Sequence, residues 1–542
     1  GRLPPGAPSC ATRIEMLLCS SPVARLAPPL VFVLMVLGEL SGCAAPPRFP
    51  DPWQVRFRDG EKVVAFDVRC DEEPDYWQYH GPDGRVRAIA YDDGAGSGAG
   101  CPGERIELDR IPPADCPHLI IALDGVPFEL VQELYQAGAF PLFYPPAPVI
   151  ACYPSMTDLA LAELFHAPRC LAFQAEYYDR AAGRMAGGST EYLKGENAPW
   201  VAQMSYSGSF WLHLLVYLDP QTVFNHELRR MYEVFQTKDA GHAAAYSVGT
   251  AGLGTRGGAA AIREYLHAVN ALCERIVYDR RGRVKITLVA DHGHNLVENR
   301  RVSFKNRLRA AGYRPADRLR KPRDVVVIEY GLVTYADFYT DDPAGVATCL
   351  LADAAVAFTC YPEGDAVVVR DATGAARITR GPHGFRYAPE GGDPLWLGPI
   401  LARLRQDGHI SPDGDIDDDA LFAVTAAHEY PDPLRRIWLT FHGLVAHPPD
   451  LIADLHNGNC HGSGFFARAI GRVASTHGSL NTASSTTFVM SMLGELPGAL
   501  RSSDVLPALS RLHSTAGTWA GSVAGESAGP ADRARDTRAP AP

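Results

Sequence analysis

His118-Leu119-Ile120-Ile121-Ala122-Leu123 is a continuous apolar run that stops at Asp124-Gly125. An apolar run without alternation reads as a strand buried on both faces. A second run that reads as buried, Val284-Lys285-Ile286-Thr287-Leu288-Val289-Ala290, stops at Asp291-His292-Gly293. Helical spacing follows the first run from Phe128 to Ala137 and precedes the second from Ala259 to Ile276. Buried strands alternating with helices predict an α/β domain over 116–498, built on a mainly parallel sheet flanked by helices. Within it the texture changes over about 315–385. Short strands (Asp324 to Tyr339, Ala355 to Cys360, Ala366 to Val369, Ala375 to Thr379) surround one helix near Asp342 to Ala354. An inserted α+β subdomain is the expectation.

Outward from this core, residues 43–115 read as a β-rich N-terminal segment. Residues 499–542 read as a C-terminal segment whose end, Thr515 to Pro542, is short of large apolar residues and is expected to be disordered. Residues 1–42 read as a leader. Met16 is a plausible initiator, and the eight apolar residues Leu30 to Leu37 suit a signal-peptide core, being too few to span a bilayer. Leu40-Ser41-Gly42-Cys43 follows, 27 residues from Met16 through Gly42. It resembles the bacterial lipoprotein cleavage box, which implies export, lipidation of Cys43 and anchoring at a membrane by acyl chains, in the periplasm or at the cell surface. The other reading is an ordinary secretory signal. In an oxidising compartment Cys70 with Cys101, and Cys349 with Cys360, are reasonable disulfide pairs. Nine cysteines follow Cys43, so one at least stays unpaired, and no CxxC pair suggests a cysteine zinc cluster.

The net charge of -11 comes with no basic stripe, so a nucleic-acid polymer is not the expected partner. In open α/β sheets ligands gather at the carboxyl ends of strands. Asp124 and Asp291 both stand at such ends, with His292 beside the second. Mixed carboxylate and imidazole donors suit a divalent metal, zinc above others. The competing account is that a strand-end Asp is a turn or helix cap. Tyr153-Pro154-Ser155-Met156-Thr157-Asp158 opens the helical pattern Leu159 to Phe165. Ser155 or Thr157 stands where an N-cap is expected, and on spacing alone capping is its role. The functional reading is a nucleophile at a helix N-terminus, activated by a neighbouring metal.

Leu-Asp-Gly at 123–125, Tyr-Pro-Ser-Met-Thr at 153–157, Ala-Asp-His-Gly at 290–293 and Thr-His-Gly at 476–478 occur in that order. Together they resemble the alkaline phosphatase superfamily, especially its nucleotide pyrophosphatase/phosphodiesterase-like branch, over about 117–495. The resemblance implies two metals, usually zinc, about 4 Å apart beside a Thr or Ser nucleophile. It places Asp124, Thr157, Asp291 and His292 on the nucleophile-side metal and His477 on the other. It also implies in-line attack by Thr157 on phosphorus through a phospho-threonyl intermediate.

One departure bears on activity. The second metal of the family takes Asp-x-x-x-His after a short strand, but here Ala251 and Thr255 occupy those positions. Five of seven ligand positions remain, and the second metal keeps His477 alone, so one metal is expected. Asp239, His242, His294, His226, His456 and His461 are available as replacements. Arg256 could stand in for the lost cation and neutralise a substrate oxygen.

The expected function is an exported metal-dependent hydrolase of phosphoric esters, with a phosphorylated small molecule as partner and phosphodiesters preferred on the Tyr-Pro-x-x-Thr resemblance. The alternative is a catalytically impaired protein that binds an anionic or glycan ligand. A sulfatase-like hydrolase is the minor alternative. Cys152-Tyr153-Pro154-Ser155 resembles the sulfatase Cys-x-Pro-Ser-Arg signature, but Met156 replaces the Arg.

Overall fold

Six strands form the central sheet: β1 (His118–Leu123), β2 (Ala147–Ile150), β3 (His242–Ser247), β4 (Lys285–Ala290), β5 (Thr486–Ser491) and β6 (Leu500–Arg501). They lie in the order β3-β1-β4-β5-β2-β6. β3, β1 and β4 are parallel neighbours, β6 is parallel to β2, and β5 runs against both β4 and β2. The sheet is therefore mainly parallel, with β5 reversed. In the computed structural model residues 48–58, 60–92, 102–188 and 197–513 are described. The leader, Cys43, Cys101 and Thr515 to Pro542 lie outside them.

Helices cover both faces: α1 (Phe128–Gln136), α2 (Thr157–Leu164), α3 (Pro220–Gln236), α4 (Gly249–Asp279) and α6 (Val505–His513), while α5 (Pro433–Phe441) packs on a second sheet. Side chains alternate along a strand, so each face of β1 needs its own apolar layer. Leu119, Ile121 and Leu123 pack with Leu130 of α1, Phe224 of α3, and Ile262 and Leu266 of α4. Ile120 and Ala122 pack on the other side with Leu161 of α2 and Leu506 and Leu509 of α6. This double burial is why β1 carries an unbroken apolar run, while the two polar residues of β4 find buried partners, Lys285 on the Leu108 carbonyl and Thr287 beside His118 and Ser491.

α4 begins ten residues earlier than the apolar spacing suggests, through a stretch rich in glycine. Glycine disfavours helix, and the exception has a physical cause. Glu227 of α3 reaches across to accept from the backbone N–H of Val248 (3.1 Å) and Gly249 (2.9 Å), capping the helix from outside. The strain falls at Gly258, whose φ of +63° breaks the helical course.

A nine-stranded second sheet uses strands between Arg314 and Asp417, with Leu451–Leu455 inserted between Tyr335–Thr340 and Val356–Glu363. All its neighbours are antiparallel except the first pair. Its helix Pro343–Leu351 is capped by Asp342, which accepts from Gly345 N–H at 3.0 Å. The expected Cys349–Cys360 disulfide does not form, and both thiols are free. Cys349 lies on that helix with its Sγ toward the Arg307 carbonyl, whereas Cys360 packs into the apolar cluster on the opposite face of its strand. Strand alternation separates the two.

Five sequential antiparallel strands between Gln54 and Glu107 form a third sheet. It docks on α4: the Tyr91 hydroxyl donates to the Tyr278 carbonyl at 2.8 Å, and Gln78 Nε2 donates to Glu274 at 2.6 Å. Burial pushes the Glu274 carboxyl up to about 8. A carboxyl whose folded pKa exceeds its unfolded value favours the fold most below about pH 4.5, and that contribution is lost as pH rises through 8. Glu274→Gln keeps a partner for Gln78 without the charge. It should leave the melting temperature nearly unchanged at pH 4 and raise it by roughly a few degrees at pH 9, read by paired thermal melts.

Candidate metal centre

Register brings the two acids together. Leu123 of β1 and Ala290 of β4 are paired, so Asp124 and Asp291 leave neighbouring strands at the same level. Asp291 Oδ1 accepts from the backbone N–H of Gly125 (2.9 Å) and His292 (2.7 Å), which fixes the carboxylate and aims Oδ2 at His292 Nε2, 3.3 Å away. Asp124 Oδ2 accepts from the Tyr246 hydroxyl, and its Oδ1 stands 3.8 Å from the same Nε2. His292 Nδ1 lies 2.9 Å from the Gly293 carbonyl. A carbonyl can only accept, so Nδ1 carries the proton and Nε2 keeps its lone pair.

Asp124 Oδ1 and Asp291 Oδ2 are buried with no hydrogen-bond partner. Together with His292 Nε2 they form a set of donor atoms within 4.8 Å of one another. Burial, then the negative charge of Asp291, drives the Asp124 carboxyl well above its usual range. Burial raises Asp291 to about 7 and lowers His292 to about 4. Two buried carboxylates facing a neutral imidazole lone pair are a costly arrangement unless a cation lies between them. The residues present fit a divalent ion, and the mix of oxygen and nitrogen donors suits zinc or manganese.

Thr157 is the first residue of α2, and its Oγ1 is 3.2 Å from His292 Nε2. The N-cap position belongs to Met156, and no side chain caps the helix. Neither hydroxyl does the expected capping job: Ser155 Oγ turns inward to the Cys152 carbonyl at 3.0 Å, leaving Thr157 to face the acids. The His477 ring stacks on His292 with centroids 3.9 Å apart, and its Nδ1–H donates to the Ser155 carbonyl at 2.8 Å. Asp124, Thr157, Asp291, His292 and His477 thus converge on one site. Thr157 and His477 are its half-buried, solvent-facing members.

Ala251 and Thr255 are buried in the first turns of α4 and supply neither the carboxylate nor the imidazole expected there. Of the replacement residues, His294 is the one in the cluster. Its ring centroid is 5.3 Å from that of His477, its Nδ1 is 2.6 Å from Ser475 Oγ, and its buried Nε2 has no partner. A Cβ on Gly254, between Ala251 and Thr255 in sequence, would come within 3.4 Å of this ring, and one on Gly125 within 2.5 Å. Gly125, at φ +64°, is therefore required on two counts. Asp239 pairs with Arg280, His461 lies between the Val302 and Ile328 carbonyls, and His456 is exposed. His226 is on α3, and His242 begins β3 at the opposite end of the sheet. The Arg256 guanidinium donates to the Ile470 carbonyl.

Two supporting residues escaped the sequence reading. Tyr246 reaches Asp124 because β3 lies beside β1; the Ala-rich strand before it was the available signal. Arg436 of α5 is buried and donates to the Pro431, Leu480 and Cys152 carbonyls at 2.8–3.1 Å, to Ser155 Oγ at 3.2 Å and to Ser485 Oγ. It ties the loop before Thr157 to the loop after His477. Arg435-Arg436 in a helix reads locally as a solvated face, so nothing nearby announced it.

Comparison with protein-family models and with curated protein sequences finds no match. Among solved structures, the chain is similar to human ectonucleotide pyrophosphatase/phosphodiesterase 5, at 8% identity and a TM-score of 0.41, covering 73% of this chain and 94% of that one. The murine counterpart gives 11% identity and a TM-score of 0.39 with the same coverage. Phosphonoacetate hydrolase from Sinorhizobium meliloti 1021, in complex with phosphonoformate, gives 12% and 0.38, covering 74% and 95%. Likeness at this level decides nothing about chemistry, which rests on the residues themselves.

If the two unpartnered carboxylate oxygens are cation ligands, Asp291→Asn should lose one equivalent of bound zinc relative to the parent chain, counted by calorimetric titration after chelator treatment. Metal-free Asp291→Asn should melt no lower than metal-free parent, because the substitution removes one of two repelling buried acids.

Proposed function

We propose that this chain is a metal-dependent hydrolase of phosphoric esters with Thr157 as nucleophile, of alkaline phosphatase-like fold. One observation carries the reading. A half-buried hydroxyl at an uncapped helix N-terminus lies directly above two buried carboxylate oxygens that lack any partner. Asp124, Asp291, His292 and Thr157 would hold the cation. When bound, it supplies positive charge that offsets the two acids and lowers the pKa of the threonine hydroxyl.

The chain's own groups do the rest. The backbone N–H groups in the first turn of α2 are free to take a phosphoryl oxygen and stabilise the charge that grows on it. Thr157 Oγ1 forms the bond to phosphorus while the bond to the leaving alcohol breaks in line. Water then releases the phosphoryl group from Oγ1. His292 holds its ring orientation through Gly293, and Arg436 keeps the two loops in register. Phosphodiesters are preferred over monoesters as substrates, on the Tyr-Pro-x-x-Thr pattern. Arg256, exposed on α4 with its guanidinium on the Ile470 carbonyl, is the cation proposed to meet a distal substrate oxygen.

The missing ligands at Ala251 and Thr255 favour a second reading, a protein that keeps one cation and binds an anionic or glycan ligand without turnover. The sulfatase-like reading is weaker: Cys152 is buried in an apolar cluster, its thiol pushed well up by burial and its Sγ directed to the Pro154 carbonyl. Turnover of an aryl phosphodiester and an aryl phosphate separates the first two. Thr157→Ala should cut the rate by about a thousandfold or more. Equal rates in parent and variant would sink the enzyme reading.

Lipid anchoring at Cys43 remains part of the proposal. No helix among the described residues is long and apolar enough to cross a membrane. Expression in a bacterium fed a clickable fatty acid should label the full chain, and Cys43→Ser should abolish the label.

A further inference from the structure

The five-stranded N-terminal sheet has one face that starts buried and ends bare. Ile89, Gln78, Val64 and Val55 are partners in register across four neighbouring strands, so they line up on one face. Exposure along that line is 0%, 1%, 3% and then 49%. The buried part of the sheet meets α4, where Gln78 and Tyr91 bond to Glu274 and Tyr278, at the end of the helix remote from Ala251 and the metal centre. The edge strand Gln54–Arg58 carries the bare part. Trp53, Val55 and Phe57 alternate along it and are 53%, 49% and 78% exposed. An apolar row on a free sheet edge is a liability in water, and soluble chains blunt or cover such edges. We propose that Trp53, Val55 and Phe57 dock this sheet on a phospholipid bilayer, entering the boundary between headgroups and acyl chains beside the anchor proposed at Cys43.

The course of the chain argues for this occupant. Phe49 packs on Phe66 and Tyr76, with ring centroids 5.0 and 5.9 Å away, and both rings belong to the core that includes α4. The N-terminal chain therefore arrives on the same face as the bare row. Cys43 is five residues before Arg48. That span is at most about 18 Å when fully extended. Acyl chains on Cys43 would hold the row within this reach of the membrane surface, and the row would fix the orientation that a tether alone leaves free. Aromatic rings, Trp foremost, are the side chains that settle at the boundary between membrane and water. Charge agrees with this placement. The exposed charged side chains among the described residues of 48–66 are Arg48, Arg56 and Lys62 against Asp51, while Glu61 is bonded to Arg105. Lys62 is the register partner of Phe57 and shares its face. The exposed surface of this stretch is net basic in a chain of net charge -11, which suits anionic headgroups.

This docking rests on the anchoring reading for its membrane, so the test removes the anchor. Full chain carrying Cys43→Ser is mixed with vesicles of phosphatidylethanolamine and phosphatidylglycerol in equal parts, their acyl chains brominated. Bromine quenches a tryptophan that reaches the acyl boundary. Fluorescence should fall on mixing, and Trp53→Phe in the same chain should abolish the fall. Phe57→Ser should raise the lipid needed for half of the effect about tenfold, the cost of one aromatic side chain left in water. No quenching, or quenching unchanged by Trp53→Phe, would overturn the proposal. Sedimentation without lipid reads the other occupant: a dimer that Phe57→Ser dissolves, in a chain that bromine does not quench, would assign the row to a second copy and overturn it as well. Loss of the fatty-acid label at Cys43 sinks the anchor alone, because quenching is measured in chain that never carried it.

Discussion

Two buried carboxylates, each with one oxygen that has no hydrogen-bond partner, are the constraint around which this molecule is arranged. Asp124 and Asp291 are brought side by side because β1 and β4 are parallel neighbours in matched register. A slip of one residue would turn one acid to the wrong face. The register is in turn held by double burial: Leu119, Ile121 and Leu123 on one side, Ile120 and Ala122 on the other, each against its own helices. The apolar core thus stabilises an electrostatically unfavourable pair, and the pair becomes tolerable once a cation sits between its free oxygens. Tyr246, Gly125 N–H and His292 N–H take the remaining carboxylate lone pairs, so that few are left over and those few point one way.

Much of this was legible in the sequence because it is local. Largely apolar runs ending in Asp mark strands whose ends lie at one edge of the sheet, and the runs at 118–123 and 284–290 are β1 and β4. What was not legible depends on partners far away in the chain. Helix propensity placed the start of α4 near Ala259, yet Glu227 caps it from another helix and pulls the glycine-rich turn into the fold. N-cap statistics favoured Ser155 or Thr157 as a cap, but the tertiary pull of Cys152 and His292 redirected both hydroxyls. Leu451–Leu455 could not be assigned a neighbour from its own residues, because it completes a sheet whose other strands lie nearer the chain's middle. Arg436 is the sharpest case. Its meaning is a set of carbonyls contributed by three loops.

The acidic balance of the chain, -11 overall, acts through the same geometry. A net negative surface repels polyanions, which argues against nucleic-acid polymers, but the field at the strand ends is local. The uncapped N-terminus of α2 and a cation on Asp124, Asp291 and His292 together present positive potential over a few ångströms. On the proposed function such a site would suit a single small anion, and Thr157 and His477 are the half-buried members through which it would be reached. With a cation bound, bulk charge and site charge would have opposite signs, a contrast that suits the small anionic esters of the proposed function.

The replacements at Ala251 and Thr255 acquire a physical consequence when set beside His294. Ala251 and Thr255, where the resemblance would put an Asp and a His, leave these first turns of α4 without a carboxylate or an imidazole, and both side chains are buried. His294 lies against that turn, held by Ser475 through Nδ1 and kept close by the absence of side chains on Gly125 and Gly254. An imidazole wedged there fills space with a neutral group whose free nitrogen faces the cluster, and it cannot replace an anionic ligand's charge. On the proposed function, a cation would sit on the Thr157 side, where the two unpartnered oxygens are. Without a second cation opposite, such a centre would stabilise a leaving group less well, so the proposed hydrolase should favour esters with good leaving groups.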